Sequence, residues 1–239
     1  NQDNYFLEGH FRKINLEIDQ YDQILRSPWT AAVFDGMGGE QDGEVASLVA
    51  SALMKEFYTP GSGPDIRIDN LIMSINQFLC QEMEERHVRM GSTCVLFECA
   101  EDRIRSWNIG DSRAYLFRRG GLQQLSQDHT EAESMRQFAD ASSISSKAKS
   151  RKENSLTQHL GIPEDDFVIE PYVSDWFEAE RGDYLLLCSD GLTHMVEDSE
   201  IIGILENVGS VRELCVQLLE AALAKGGLDN ITILLAKCE

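Results

Sequence analysis

Trp29-Thr30-Ala31-Ala32-Val33-Phe34-Asp35-Gly36-Met37-Gly38-Gly39 is a short apolar run that passes straight into an aspartate and a glycine-rich loop. Such a run predicts a buried strand, and the glycines predict a tight loop at its C-terminal end. The same order returns later, where Tyr184-Leu185-Leu186-Leu187-Cys188-Ser189 runs into Asp190-Gly191. Two apolar strands that each deliver a carboxylate to their mouth are the feature around which the rest of the chain must be fitted.

Outward from the first strand the period changes. Val45, Leu48, Val49, Ala52, Leu53 and Phe57 recur at three- and four-residue spacing, as do Leu71, Ile72, Ile75, Phe78, Leu79 and Met83, which predicts two amphipathic helices. From Thr93 the segments Thr93–Glu98, Arg103–Ile109, Ala114–Phe117 and Leu122–Leu125 are short and β-branched or aromatic, with a hairpin at Arg119-Gly120-Gly121. This reads as an antiparallel meander. Residues 126–155 are polar and weakly patterned, and predict a mobile insertion rather than core. Strands are expected again at Phe167–Val173 and Tyr184–Ser189. Ser210-Val211-Arg212-Glu213 is a capping box for a helix that stops at Gly226-Gly227, and Asp229-Asn230 feeds a strand Ile231–Ala236. Strands in blocks separated by helix pairs argue for an α+β layered architecture. No Pro/Gly/Ser-rich linker divides the 239 residues, so a single domain over 1–239 is expected.

Acidic residues outnumber basic ones by 41 to 21, for a net charge of −20. A field of that sign repels nucleic-acid backbones and anionic membrane surfaces, so neither is an expected partner. The six cysteines, Cys80, Cys94, Cys99, Cys188, Cys215 and Cys238, form no Cys-x-x-Cys pair and read as free thiols of a reducing compartment. With no long apolar run, a soluble cytoplasmic monomer is the expectation.

Asp35 and Asp190 share one local context, and Asp229 mirrors it at the start of a strand after Gly-Gly-Leu. One Asp-Gly alone is most simply a turn. A carboxylate beside an apolar strand is costly unless it is paired or binds a cation, and few basic residues lie near these three. Hard divalent ions prefer such oxygen ligands. Asp111, in Gly110-Asp111-Ser112-Arg113, is a weaker candidate, because Arg113 offers it a partner.

Taken in order, Asp35-Gly36-Met37-Gly38-Gly39, Gly91-Ser92-Thr93, Gly110-Asp111-Ser112-Arg113, Ser189-Asp190-Gly191 and Asp229-Asn230-Ile231-Thr232 resemble the signature blocks of the protein phosphatase 2C (PPM) family. Asn1-Gln2-Asp3 resembles the end of its first block. The resemblance implies a four-layer α-β-β-α sandwich, with two central antiparallel sheets flanked by helices. It implies a protein-serine/threonine phosphatase with two Mn²⁺ or Mg²⁺ ions, bridged by Asp35, held on one side by Asp3 and the carbonyl of Gly36 and on the other by Asp190 and Asp229. Water activated between two such ions attacks phosphorus directly, with Asp35 and Asp190 acting through that water.

Three departures qualify the match. The family's phosphate-binding Arg would precede residue 1. Met37 stands where animal members carry His, as in bacterial members. His194 replaces an Asp that, with the residues matching Asp111 and Asp190, binds a third ion; neutral imidazole is a poorer Mg²⁺ ligand, so a third site here is expected to be weak or to prefer Mn²⁺. The remaining histidines, His10, His87, His129 and His159, read as surface or capping residues. By the resemblance, the insertion at 126–155 matches the position of the family's flap, and Lys147, Lys149, Arg151 and Lys152 put a basic cluster in it. The expected substrates are phosphorylated proteins of a bacterial Ser/Thr kinase. The alternative is a catalytically weak or regulatory module of the same fold that binds a partner protein.

Overall fold

The computed structural model describes residues 1–14, 20–38, 42–59, 63–64, 67–138 and 155–239. In chain order the elements are β1 (Asp3–Leu7), β2 (His10–Phe11), β3 (Trp29–Gly38), α1 (Asp42–Glu56), β4 (Tyr58–Thr59), β5 (Gly63–Pro64), α2 (Ile68–Arg86), β6 (Met90–Ser92), β7 (Cys94–Ala100), β8 (Arg103–Ile109), β9 (Arg113–Arg118) and β10 (Gly121–Gln124). They continue with α3 (Glu131–Phe138), β11 (Tyr172–Val173), β12 (Phe177–Glu178), β13 (Tyr184–Cys188), α4 (Asp190–Thr193), α5 (Asp198–Leu205), α6 (Val211–Ala224) and β14 (Ile233–Lys237).

Two antiparallel sheets form the centre. The first runs β11-β8-β7-β3-β1-β2, with β6 on the far end of β3 and β12 on β8; the second runs β10-β9-β13-β14. Alternation along the strands separates the core into three layers. Ala31, Val33, Val95, Phe97, Leu116, Leu185 and Leu187 meet between the sheets. Ala32 and Phe34, one residue out of phase, face α1 and α2 through Ala46, Ala50, Met54, Ile72 and Leu79. Leu186 and Cys188 face α4, α5 and α6 through Leu192, Ile201, Leu214 and Leu218. The result is the expected α-β-β-α sandwich.

Local chemistry accounts for the boundaries. Arg119 and Gly120 both take positive φ, which gives the two-residue hairpin between Arg118 and Gly121 that the sequence predicts. Ser210 and Glu213 form a reciprocal capping box at the start of α6. All six cysteines are free thiols, three of them buried and three half-buried.

The strand expected over Phe167–Val173 shrinks to Tyr172–Val173. Pro163 accepts from the Asp166 and Phe167 backbone amides in a turn, Phe167 and Val168 are exposed, and Pro171 has no N–H for a ladder. The final strand starts two residues late, because the Thr232 amide donates to the Ser189 hydroxyl instead of to a neighbouring strand. Within the expected insertion, Ser126, His129 and Thr130 are buried and α3 follows; residues 139–154, with the basic cluster Lys147, Lys149, Arg151 and Lys152, lie outside the described residues.

Candidate active site

Asp3 opens β1 and Asp35 lies near the end of β3, and the two are Cα partners across the antiparallel ladder. Residues so paired project their side chains from the same face of the sheet. Asp190 begins α4 immediately after β13, and Asp229 lies in the turn before β14. Both central sheets thus bring carboxylates to one place: Asp190 and Asp229 act electrostatically on Asp3, and Asp3, Asp190, Asp111 and Asp229 all act on Asp35.

The glycines after Asp35 and Asp190 are required by space. A Cβ on Gly36 would lie 1.9 Å from the Gly43 carbonyl oxygen, and one on Gly191 would lie 2.0 Å from that of Asn230. Each strand mouth is therefore pressed against another backbone segment, which holds the preceding aspartate rigidly.

Burial dominates the electrostatics. It pushes the Asp3 carboxyl up to about 6, against hydrogen bonds from Ser189 and Thr232 that pull it down. Asp35 is raised well above the ordinary carboxylate range by burial and then by its acidic neighbours. Asp111 rises to about 7, again through burial first and Asp190 next. Asp190 is raised by burial, with His194 opposing the shift.

The basic side chain expected to neutralise Asp111 does not do so. Arg113 instead binds Asp128 through Nε and Nη2, at 3.0 and 2.6 Å. Asp111, Asp190 and His194 place one ligand atom each within 4.8 Å of one another, and His194 Nδ1 lies 3.2 Å from Asp190 Oδ2. His194 is the exposed C-cap of α4.

Two carboxylate oxygens, Asp3 Oδ1 and Asp190 Oδ1, are buried without a hydrogen-bond partner. An orphaned buried carboxylate oxygen costs more than 1 kcal/mol as a rough minimum unless something cationic meets it. All-oxygen donors, several of them ionisable and mutually repelling, match hard divalent cations such as Mn²⁺ and Mg²⁺. The residues present therefore fit such ions.

The family model described as protein phosphatase 2C matches residues 9–229. The chain belongs to the protein phosphatase 2C family. The serine/threonine phosphatase stp of Listeria monocytogenes is 33% identical over 213 residues, 86% of this chain and 82% of its own length. The serine/threonine protein phosphatase PstP of Mycobacterium tuberculosis is 33% identical over 220 residues, 90% of this chain, but the chain spans only 41% of that relative's length. Among solved structures, Staphylococcus aureus Stp1 superposes with a TM-score of 0.80 at 28% identity, covering 100% of this chain and 89% of that one. M. tuberculosis PstP/Ppp gives 0.77 at 28% identity, covering 99% of this chain and 98% of that one.

In this protein phosphatase 2C domain several residues support the cluster that the sequence reading left without a role. The Asp35 amide donates to Thr93 Oγ1 at 3.1 Å and its carbonyl accepts from the Thr93 amide at 2.8 Å, while Thr93 Oγ1 lies 2.7 Å from Ser112 Oγ. His129, read as a surface residue, is buried and brackets Gly110. Its amide donates to the Gly110 carbonyl at 2.9 Å, and its Nδ1 accepts from the Gly110 amide at 3.1 Å. Thr93 and Ser112 belong to the quoted signature blocks, which is the signal that could have found them; His129 has none.

Proposed function

We propose that residues 1–239 are one catalytic domain that hydrolyses phosphoserine and phosphothreonine in phosphorylated proteins, using two divalent cations, Mn²⁺ or Mg²⁺. The supporting observation is the pair of orphaned buried oxygens, Asp3 Oδ1 and Asp190 Oδ1, inside a carboxylate cluster built from both sheets.

Asp3, Asp35, the Gly36 carbonyl, Asp190 and Asp229 would hold the two ions, and Asp111, grouped with Asp190 and His194, would offer a ligand to a weaker third one. Such ions supply an activated water and neutralise charge on the phosphoryl oxygens. The chain's own part is positional. Thr93 holds both backbone groups of Asp35, and the tight packing at Gly36 and Gly191 prevents the strand mouths from spreading under mutual repulsion. Met37 cannot protonate a leaving alkoxide, so that proton comes from water or from another group. The Listeria and Mycobacterium relatives, both named serine/threonine phosphatases, support phosphoprotein substrates, and a Ser/Thr kinase is the class of enzyme that would supply them. None of the described helices is long and apolar enough to cross a membrane.

The test is hydrolysis of p-nitrophenyl phosphate and of a phosphothreonine peptide with Mn²⁺, with EDTA, and in Asp190→Asn. Turnover that requires Mn²⁺ and disappears in the variant is expected. A folded protein that binds Mn²⁺ without turnover would instead favour a regulatory module.

A further inference from the structure

Asp3 presents its two carboxylate oxygens to different surroundings. Oδ2 accepts from Ser189 Oγ at 2.7 Å and from Thr232 Oγ1 at 2.7 Å. Oδ1 is buried and has no hydrogen-bond partner. The residue is only 1% exposed, so bulk water does not reach it.

The direction of these bonds follows from the chemistry. The Thr232 amide donates to Ser189 Oγ at 3.0 Å, which occupies a lone pair of that hydroxyl and frees its proton for Asp3. The other acceptor in range, the Asn230 carbonyl, is more distant at 3.4 Å. Two O–H groups donating to Oδ2 occupy its acceptor sites, so Oδ1 is the Asp3 oxygen left open to a cation.

The backbone is held separately, since the Arg12 guanidinium donates to the carbonyls of Asn1 and Asp3. Asp3 belongs to the first sheet, whereas Ser189 follows β13 and Thr232 precedes β14 in the second. The bracket therefore ties Asp3 and its ladder partner Asp35 to the segment that carries Asp190.

We propose that Ser189 and Thr232 are positioning residues that commit Asp3 Oδ2 to the protein and leave Oδ1 for a divalent cation or a water in its shell. The proposal rests on the metal-dependent reading above. Hydroxyl donors that orient a ligating carboxylate typically govern metal affinity by about 10- to 100-fold.

The experiment is Mn²⁺ titration of the purified protein, followed by electron paramagnetic resonance of the free ion, with folding checked by circular dichroism. Ser189→Ala and Thr232→Val should each weaken one class of Mn²⁺ site by about tenfold or more, and Thr232→Ser should restore it. In an Asp3→Ala background, Ser189→Ala should cause no further loss, whereas a merely structural hydroxyl would add its effect to that of Asp3→Ala. Folded Ser189→Ala and Thr232→Val that bind Mn²⁺ as tightly as wild type, or losses that simply add, would overturn the positioning role and leave the metal centre standing. A wild-type protein that takes up no Mn²⁺ would overturn both.

Discussion

Asp3 and Asp35 stand opposite one another in the β1–β3 ladder, so backbone hydrogen bonding holds together two carboxylates that repel each other. The ladder is one source of the force that opposes them, and the flanking hydrophobic layers are the other. Like charges placed directly across a sheet destabilise it by about 0.2–1 kcal/mol. Asp35→Asn should therefore raise the Tm of the metal-free protein by up to about 4 °C, and also abolish the additional stabilisation by Mn²⁺. Thermal melts in EDTA and in Mn²⁺ check both signs.

The pH dependence of the metal-free protein follows from the same crowding. Asp3 and Asp111 titrate at about 6 and about 7 when folded, against an ordinary value of 3.8. Between those limits the folded state holds more protons than the unfolded one. Their contribution to stability is thus fully present below about pH 4 and is lost as pH rises through 6 to 7. Asp111→Asn should reduce the fall in Tm between pH 5 and pH 7.5 in EDTA, and an unchanged slope would contradict the assignment.

His194 lies beside Asp190 in a group that includes Asp111. Replacing its imidazole by a carboxylate makes the group all-oxygen, which favours Mg²⁺. His194→Asp should lower the Mg²⁺ concentration needed for half-maximal phosphatase activity severalfold, with a smaller effect for Mn²⁺. Identical titrations would make His194 a bystander.

Glycine substitutions separate tight from open backbone. Gly36→Ala and Gly191→Ala drive a methyl into a carbonyl oxygen and should each prevent stable folding or cost several kcal/mol, roughly 3 or more. Gly203, inside α5, has nothing within 4 Å of an added Cβ, so Gly203→Ala should stabilise by about 0.5–1 kcal/mol. Chemical denaturation of the three variants measures the contrast.

His129 accepts the Gly110 amide through Nδ1, so its loss leaves a buried donor unpaired. His129→Ala should cost about 1–3 kcal/mol. Because Gly110 precedes Asp111, the variant should also weaken whatever cation Asp111 helps to hold, as read by Mn²⁺ titration.

The strands ending in Asp35 and Asp190, the helix pair after the glycine loop and the capping box at Ser210 were legible because their causes are local: a run, a period, a reciprocal pair. The strand expected over Phe167–Val173 is too long because the apolar character of Phe167 and Val168 carries no information about whether a neighbouring strand exists. The support around the carboxylates was hidden for a different reason. Asp3 meets Ser189 and Thr232 across 186 and 229 residues of chain, and His129 meets Gly110 across 19, so no window of sequence contains both partners. Arg113 showed the converse error, since the nearest acid in sequence, Asp111, lost to Asp128 across the β-turn region.

The bond from Thr232 to Asp3 also has a consequence for biosynthesis. A ribosome delivers Asp3 and Asp35 early, but the hydroxyl that orients Asp3 emerges about 200 residues later, as does the Asn230 side chain that accepts from the Gln2 amide. At roughly 5–20 residues per second, the nascent chain carries unbraced acidic strands for on the order of ten seconds or more. The hydrogen-bond bracket on Asp3 is thus completed only once translation has passed Thr232, and a product terminated upstream of that point lacks it.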